Sequence, residues 1–314
     1  MLPHPNLLRI GVTILVEVTY NFAKFLWHPA VTVRVSADGR IEEEVLSLAN
    51  LCVAKSWLAP ELGCEGDVFE FVEGLRGEVY RAMPDRTTLR FERGGSGFFL
   101  KLHRGVGWPE ILKNLLSFRL PILSAENERA AIDLLARRGV DTMKAAGYGK
   151  VGCNPASTRS FLITHEIANA PSLEEVTADW GEQPPTPAIK WTFIREVARV
   201  ARQMHEAGVN HRDFYLCHFL LCEENFENPK LVLIDLHRAQ IRKAVPVRWR
   251  RKDLAALYSS AAHISLTQKD FLRFICEYYQ RPLAELLVQE RGELGRIKKA
   301  GDKLRAKFLR KYQK

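Results

Sequence analysis

Hydrophobic residues in the middle of the chain recur with the spacing of an amphipathic helix. Ile194, Val197, Ala201 and Met204 are separated by three or four residues, and Gly208 follows them. Apolar side chains at these intervals fall on one face of an α-helix, and a glycine commonly ends such a helix. The pattern therefore predicts a helix that ends shortly before residue 209.

Two short apolar runs follow the predicted helix. Residues 219–221 and 231–234 are almost entirely Leu, Ile, Val and Phe, and a polar stretch at residues 223–228 separates them. Apolar runs of this length on either side of a polar turn are typical of a β-hairpin. The chain thus predicts a helix, a short loop and a hairpin in this order.

The first half of the chain has strand-like and helical patterns as well. Residues 96–102 alternate like a strand behind a glycine turn, and residues 125–138 predict a helix that Gly139 stops. Residues 160–164 have the composition of a buried strand. Near the N-terminus, residues 31–35 and 41–48 predict a further hairpin.

Two acidic residues lie where this order of elements would place catalytic groups. Asp213 ends the triplet His211-Arg212-Asp213 in the loop after the helix, and Asp235 follows the second hairpin strand, 22 residues later. In protein-kinase-like sites, one Asp accepts the proton of the acceptor hydroxyl and a second holds Mg²⁺ against the nucleotide phosphates. The constellation predicts phosphoryl transfer, although an Asp in such a triplet is also common as a helix cap.

A lysine and a glutamate complete the prediction. Lys101 lies in the predicted strand 96–102, and Glu128 lies near the start of the helix at residues 125–138. An ion pair between a strand lysine and a helix glutamate is part of the kinase site. Glu126 competes with Glu128 as the partner, and a solvated strand residue is the alternative for Lys101.

Nucleotide contacts are predicted at two further places. Gly95 and Gly97 precede Lys101 and are candidates for a loop that covers phosphates, but they lack the G-x-G-x-x-G spacing and are equally compatible with a plain hairpin turn. Glu166 follows the buried strand at residues 160–164, where a linker between two lobes would offer backbone groups to adenine. A simple strand end is the alternative there.

The motifs around these residues resemble the lipopolysaccharide core heptose(I) kinase family. The similarity covers residues 67–314. It rests on motifs at residues 88–92, 100–105, 113–116, 139–143, 211–221, 234–240, 248–254 and 266–270.

The resemblance implies an α+β, two-lobed protein-kinase-like fold. Residues 67–166 would form a small β-rich N-lobe, and residues 167–314 a larger, mainly helical C-lobe with a basic C-terminal helix. Residues 1–66 would be an N-terminal extension of uncertain structure. The implied activity is ATP-dependent phosphorylation of heptose I in the lipopolysaccharide inner core.

The resemblance also implies roles for individual residues. Asp213 would be the catalytic base in a loop with His211 and Arg212, Asp235 the Mg²⁺ ligand, and Lys101 the phosphate-binding lysine. His218 replaces the Asn of ordinary protein kinases. Because imidazole is a poor ligand for Mg²⁺, His218 either contributes to a second metal site or orients a phosphate or the loop.

The charge of the chain is concentrated at its C-terminal end. The net charge is +9, and residues 295–314 alone carry +8. A basic helix with Leu304 and Phe308 between its charges suits the anionic surface of a membrane, and a solvated helix is the alternative. A second basic cluster at residues 242–252 is a candidate to face an acidic glycolipid. No recognition module supports nucleic acid as a partner.

The resemblance sets the expected substrate and location. It implies the lipopolysaccharide inner-core glycolipid as the substrate and a place on the inner face of the cytoplasmic membrane, and an acyl carrier protein is an additional candidate partner. Six scattered cysteines without paired spacing favour reduced thiols in a cytoplasmic protein. The alternative functions are another small-molecule or protein kinase of the same fold and a membrane-associated pseudokinase scaffold.

Overall fold

One antiparallel sheet of eight strands forms the N-terminal part of the protein. The computed structural model describes residues 32–35, 41–47, 52–116, 124–152, 154–223 and 225–312. The strands follow the spatial order β1-β2-β3-β7-β8-β6-β5-β4. They are β1 (Thr32–Val35), β2 (Ile41–Ser47), β3 (Cys52–Leu58), β4 (Glu78–Ala82), β5 (Arg86–Arg93), β6 (Ser96–His103), β7 (Ala145–Val151) and β8 (Arg159–His165).

The β5–β6 hairpin shows why this region forms strands. Gly94 and Gly95 make the two-residue turn, and both have positive φ angles, of 57° and 76°, as the tight turns that join two strands directly require. Alternate residues of the two strands, among them Phe91, Phe98 and Leu100, are buried against Phe161 and the apolar side chains of neighbouring elements. The period of two along the strands thus produces one buried face of the sheet.

The strands before residue 67 extend this sheet. The predicted N-terminal hairpin is confirmed, because β1 and β2 pair from Thr32 with Glu44 to Val35 with Ile41. β3 then joins them to β7. The division of the chain at residue 67 stays a prediction, and three strands of the sheet precede it.

Within the described residues, three α-helices accompany the sheet. The predicted helix after residue 124 is confirmed as α3 (Glu126–Arg137), and Gly139, with a φ of 73°, follows its end. This helix precedes β7 in the chain and packs against β7 and β8. The three helices are α1 (Val68–Gly74), α2 (Gly107–Leu116) and α3 (Glu126–Arg137).

The C-terminal part is mainly helical, as predicted. It contains α4 (Leu173–Val176), α5 (Pro187–Glu206), α6 (Val247–Ser260), α7 (Gln268–Tyr279), α8 (Leu283–Gln289) and α9 (Arg291–Tyr312). Its short strands form two ladders, β10 (Phe219–Leu221) with β11 (Leu231–Leu233) and β12 (Gln240–Ile241) with β9 (Val209–Asn210).

The predicted helix and hairpin of this part are both confirmed. Val197, Ala201 and Met204 are buried on the inner face of α5. Gly208 follows that helix with a φ of 82°, and a Cβ atom there would lie 2.0 Å from the carbonyl oxygen of Arg242. Only glycine therefore allows the chain to turn into the next strand at this point. Within the described residues, no helix has both the length and the hydropathy that a membrane crossing requires.

Candidate active site

Lys101 and Glu128 form a buried ion pair between β6 and α3. The side chain of Lys101 lies on the face of the sheet opposite to Leu100 and Leu102, whose side chains are buried in the apolar layer. Its Nζ atom is 2.6 Å from Oε1 of Glu128, which is only 1% exposed. Glu126, the competing candidate, instead pairs with Lys150 at 2.6 Å. The predicted pairing of Lys101 with Glu128 is therefore confirmed.

Lys101 also reaches across to Asp235 in the C-terminal part. The distance from Nζ to Oδ1 of Asp235 is 3.0 Å, and Nδ1 of His237 donates a hydrogen bond of 2.7 Å to the same oxygen. Asp235 follows β11 with a φ of 60°, in the left-handed region that few non-glycine residues adopt. Such backbone strain often occurs at functional sites, and here it accompanies the placement of the carboxylate beside Lys101.

The opposite charges of Lys101 and Asp235 stabilise the ionised form of each other. Burial alone would raise the pKa of Asp235, but the hydrogen bond from His237 and the positive charge of Lys101 outweigh it and lower that pKa below its ordinary value. For Lys101, burial acts to lower the pKa, and the charges of Glu128 and Asp235 raise it above the ordinary value of lysine. At neutral pH the cluster therefore contains an ammonium group and an ionised Asp235 carboxylate.

The loop that carries Asp213 is held by Asp253 of α6. This carboxylate is completely buried and accepts the backbone N–H groups of His211 and Arg212, both at 2.8 Å. It also accepts a hydrogen bond of 3.2 Å from Nε2 of His205. Nδ1 of His205 in turn accepts a hydrogen bond of 2.8 Å from the hydroxyl group of Tyr278. Asp253 thus fixes a loop in which Arg212 has a φ of 77°.

His211 ties this loop to the strand that ends at Asp235. Its Nε2 donates a hydrogen bond of 2.9 Å to the carbonyl oxygen of Ile234. Burial lowers the pKa of His211 below its ordinary value, so the ring is neutral. His211 therefore joins the loop that carries Asp213 to the residue that precedes Asp235.

Asp213 itself is bound by a residue that the sequence analysis missed. Nη1 of Arg238 lies 2.7 Å from Oδ1 and 3.0 Å from Oδ2 of Asp213. The backbone oxygen of Asp213 accepts a hydrogen bond of 2.6 Å from Nδ1 of His218. Because a carbonyl oxygen only accepts, Nδ1 of His218 donates this hydrogen bond.

Asp235 can supply one carboxylate ligand to a divalent cation. Nε2 of His218 lies 3.7 Å from Oδ2 of Asp235, beyond hydrogen-bond distance. Mg²⁺ is usually held by one or two carboxylates, with phosphate oxygens and water completing the shell, and an ionised Asp235 supplies such a ligand. Within the described ranges, no group of three or more His, Cys, Asp or Glu side chains is arranged to hold a metal.

Gly95 and Gly97 are not brought to this cluster. Gly95 lies six residues before Lys101 along β6, which is about 20 Å at the rise of a strand. A Cβ atom on Gly97 would lie 1.8 Å from Oε2 of Glu166. The other carboxylate oxygen of Glu166, Oε1, pairs with Arg90 at 2.6 Å. The backbone N–H of Glu166 donates a hydrogen bond of 2.9 Å to the carbonyl oxygen of Gly97. The predicted phosphate-covering role of the two glycines therefore does not fit, and the hairpin-turn alternative is what is observed.

A different turn lies at the end of the sheet where Lys101 is found. Lys101 pairs with Thr88 of β5, and β5 begins two residues earlier at Arg86. The turn between β4 and β5 is closed by hydrogen bonds of 2.8 and 3.2 Å between Met83 and Arg86. It contains Pro84 and Asp85, residue types that favour turns, but no glycine.

Comparisons with known proteins show similarity to one family of kinases. The model of the lipopolysaccharide kinase (Kdo/WaaP) family matches residues 70–278. A lipopolysaccharide core heptose(I) kinase WaaP of Pseudomonas aeruginosa is 50% identical over 76% of this chain and 90% of its own length. One of Escherichia coli is 47% identical over 78% of this chain and 94% of its own.

A solved structure described as WaaP in complex with acyl carrier protein is also similar. It has a TM-score of 0.67 and 45% identity, and it covers 76% of this chain and 92% of its own. The similarity supports the predicted two-lobed, kinase-like α+β fold.

Proposed function

Because this chain belongs to the lipopolysaccharide kinase (Kdo/WaaP) family, we propose that it transfers the γ-phosphoryl group of ATP to a hydroxyl of heptose I in the lipopolysaccharide inner core. The observation that carries the proposal is the meeting of Lys101, Glu128 and Asp235, contributed by both parts of the fold. Asp213 lies in the loop that the hydrogen bond from His211 to Ile234 joins to the segment with Asp235. This set of groups suits phosphoryl transfer, and the names of the relatives support heptose as the acceptor.

In the proposed mechanism, Asp213 accepts the proton of the acceptor hydroxyl. Arg238 uses one lone pair on each oxygen of the Asp213 carboxylate, and a second lone pair remains on each. The carboxylate can therefore bind the guanidinium and the acceptor hydroxyl at the same time. Lys101, fixed by Glu128, presents its ammonium group to the nucleotide phosphates. Asp235 would hold Mg²⁺ through Oδ2, with Nε2 of His218 beside it. When bound, the metal neutralises charge that develops on the phosphoryl oxygens.

The remaining nucleotide contacts follow from the sheet. We place adenine at the backbone of Glu166 and the two residues after it, where the chain leaves β8 for the C-terminal part. Gly97 supports this segment by leaving room for the Glu166 carboxylate. The turn at residues 83–85 takes the phosphate-covering position that Gly95 does not reach, because it lies at the Lys101 end of the strands.

A transfer assay tests the proposed function. The purified chain is incubated with Mg²⁺, ATP labelled at the γ-phosphate, and core lipopolysaccharide that lacks phosphate on its first heptose. We expect label to appear on that heptose. Label on another acceptor would favour a different kinase activity on the same fold, and absence of transfer to any acceptor would favour a pseudokinase scaffold.

An acyl carrier protein is the second proposed partner. The similar solved structure is described as a complex with acyl carrier protein. In this chain, a cavity of about 610 Å³ lies between α5, α6 and α7. It is mostly apolar and suits an acyl chain that such a partner would deliver; its lining includes Phe193, Val197, Leu257, Phe271 and Ile275.

Binding of the carrier protein should then depend on its acyl chain. We expect a long-chain acylated carrier to bind at least about tenfold more tightly than the unacylated form, because each buried methylene contributes about 0.8 kcal/mol. Ile275→Trp should fill the cavity and remove this difference, whereas Val288→Trp, at a residue exposed to 82%, should keep it. Calorimetric titration of the three proteins with each of the two carrier forms measures all six pairs, and equal affinity of wild type for both carrier forms would contradict the proposal.

The basic helix α9 is the proposed contact with the membrane, which would place the enzyme on the cytoplasmic face of the inner membrane. Its first half is packed on α6 through the Glu293–Arg251 pair, at 2.6 Å, and through Gly301, where a Cβ atom would lie 2.4 Å from the Tyr258 ring. Its second half is exposed and carries both basic residues and the apolar Phe308. Basic charge with exposed apolar side chains suits an anionic lipid surface.

Removing charges from the second half of α9 should weaken vesicle binding. The triple variant Lys303→Gln, Arg305→Gln, Lys307→Gln should lower partitioning onto vesicles with anionic lipid by about a hundredfold, since each basic residue near the surface contributes about 1 kcal/mol. The controls are Arg137→Gln and Arg138→Gln, which remove exposed charges at the C-terminal end of α3. Vesicle co-sedimentation measures the effect, and equal binding of the triple variant and wild type would exclude α9 as the contact.

A further inference from the structure

Four basic side chains surround the indole ring of Trp249 in the first turn of α6. Nζ of Lys252 lies 4.2 Å from the ring centroid, and the guanidinium carbons of Arg248, Arg242 and Arg212 lie 5.1, 5.4 and 6.0 Å from it. Each of them is within the range of a cation–π contact. Four like charges around one ring nevertheless repel one another, so the arrangement favours binding of an anion.

Two of these cations are not neutralised by acidic side chains. In the part of the chain that the structure describes, neither Arg242 nor Arg248 forms an ion pair with an acidic residue. Arg242 instead donates to the neutral amide oxygens of Asn210 and of Gln240, the latter at 2.6 Å. Burial, and to a smaller extent the nearby charge of Arg248, lower the pKa of Arg242 below its ordinary value, and the carboxylate of Asp253 acts in the opposite direction.

The start of α6 adds to this imbalance. The N-terminal end of a helix favours negative charge, because its free N–H groups carry partial positive charge. α6 begins after Pro246 with no side-chain cap and no acidic residue in its first turn. Arg248 lies in that turn and Arg250 follows directly. Positive side chains thus lie where the helix dipole favours negative charge, and an external anion bound there would offset this repulsion.

The cluster lies next to the base proposed for the reaction. Arg212 directly precedes Asp213, and Arg242 is bonded to Asn210, which precedes the same loop. Lys252 adjoins Asp253, the carboxylate that holds the loop. Lys101, in contrast, reaches the site from β6 in the N-terminal part. The cationic cluster is therefore beside the base, where the acceptor has to approach.

We propose that the basic residues around Trp249 bind an acidic group, a carboxylate or a phosphate, that the acceptor glycolipid carries near the hydroxyl to be phosphorylated. The inference rests on the proposed function for the identity of the acceptor. Guanidinium groups bind carboxylates and phosphates through paired hydrogen bonds, and Arg248 is exposed at this surface. The site would hold the acceptor with its hydroxyl at Asp213 and would select acidic cores over neutral ones.

Arg248→Gln tests the proposal with a soluble probe. The probe is the deacylated core oligosaccharide that lacks phosphate on its first heptose, so that no membrane lipid is present. We expect the dissociation constant, measured by calorimetry without ATP, to rise about tenfold, and the KM for this acceptor to rise by a similar factor. The KM for ATP and the melting temperature should stay unchanged, and Arg248→Lys should keep part of the affinity.

The control is Lys230→Gln, which removes one exposed charge just before β11, outside the basic segment at residues 242–252. It should leave acceptor binding unchanged. Equal acceptor affinity of Arg248→Gln and wild type would overturn the proposal, as would a loss of affinity by Arg248→Gln for vesicles of anionic phospholipid alone. Wild type that binds the oligosaccharide but transfers no phosphate to it would instead refute the proposed function, while the binding site would stand.

Discussion

Asp213→Asn should lower kcat for phosphate transfer to the core glycolipid by about 10²–10⁴-fold, the usual contribution of a positioned general base. An amide has nearly the size of the carboxylate but does not accept a proton at neutral pH. The KM for ATP should change little, because Asp213 contacts Arg238 and His218 and not the Lys101 ion pairs. Initial rates at saturating ATP, with the acceptor concentration varied, measure the effect.

The control for this prediction is Asp179→Asn, an equivalent change at an exposed residue before α5. It should keep the wild-type rate. The melting temperature of Asp213→Asn should stay close to that of wild type, since the carboxylate is bound by one partly exposed guanidinium and such pairs contribute little to stability. A kcat within about fivefold of wild type would exclude Asp213 as the base.

Asp253→Ala should have the largest effect on stability among the changes considered. The variant leaves two backbone N–H groups and the Nε2 of His205 without their buried acceptor. An unsatisfied buried donor costs about 1–3 kcal/mol, so we expect the free energy of unfolding to fall by about 3–5 kcal/mol. The catalytic rate should fall as well, because the loop that holds Asp213 loses its anchor.

Two further variants keep this prediction testable if Asp253→Ala does not fold. Asp253→Asn retains one acceptor oxygen and should lose only about half as much stability. Asp302→Asn breaks an exposed pair with Lys298 on α9 and should cost less than about 1 kcal/mol. Urea unfolding of the three proteins gives the order, and an Asp253→Asn variant as stable as Asp302→Asn would show that the loop does not depend on this carboxylate.

The elements that the sequence predicted are those with strong local signals. The helix α5 has a regular apolar stripe, and the left-handed Gly139 and Gly208 follow the ends of α3 and α5. The Lys101–Glu128 pair was predictable because both residues occupy positions that a known site requires. No local pattern distinguishes Glu128 from Glu126 as the partner of Lys101. The structure explains the choice, because Glu126 pairs with Lys150 instead.

The groups that the sequence did not reveal act on residues far away along the chain. Asp253 binds N–H groups 41 and 42 residues away, and no side-chain pattern records such a partner. Arg238 binds the carboxylate of Asp213, 25 residues earlier in the chain, and nothing in the sequence indicates this contact. The turn at residues 83–85 lacks the glycines that are typical of phosphate-binding loops, whereas Gly95 is required by the tight turn between β5 and β6.

Phosphate analysis of the inner core in cells tests the central claim most directly. Core lipopolysaccharide is isolated from cells that lack this gene and from the same cells supplied with wild type or with Asp213→Asn. We expect phosphate on the first heptose only in cells with wild type. A first heptose that carries the same phosphate in cells without the gene, or in cells with Asp213→Asn, would contradict the assignment of this chain as its kinase.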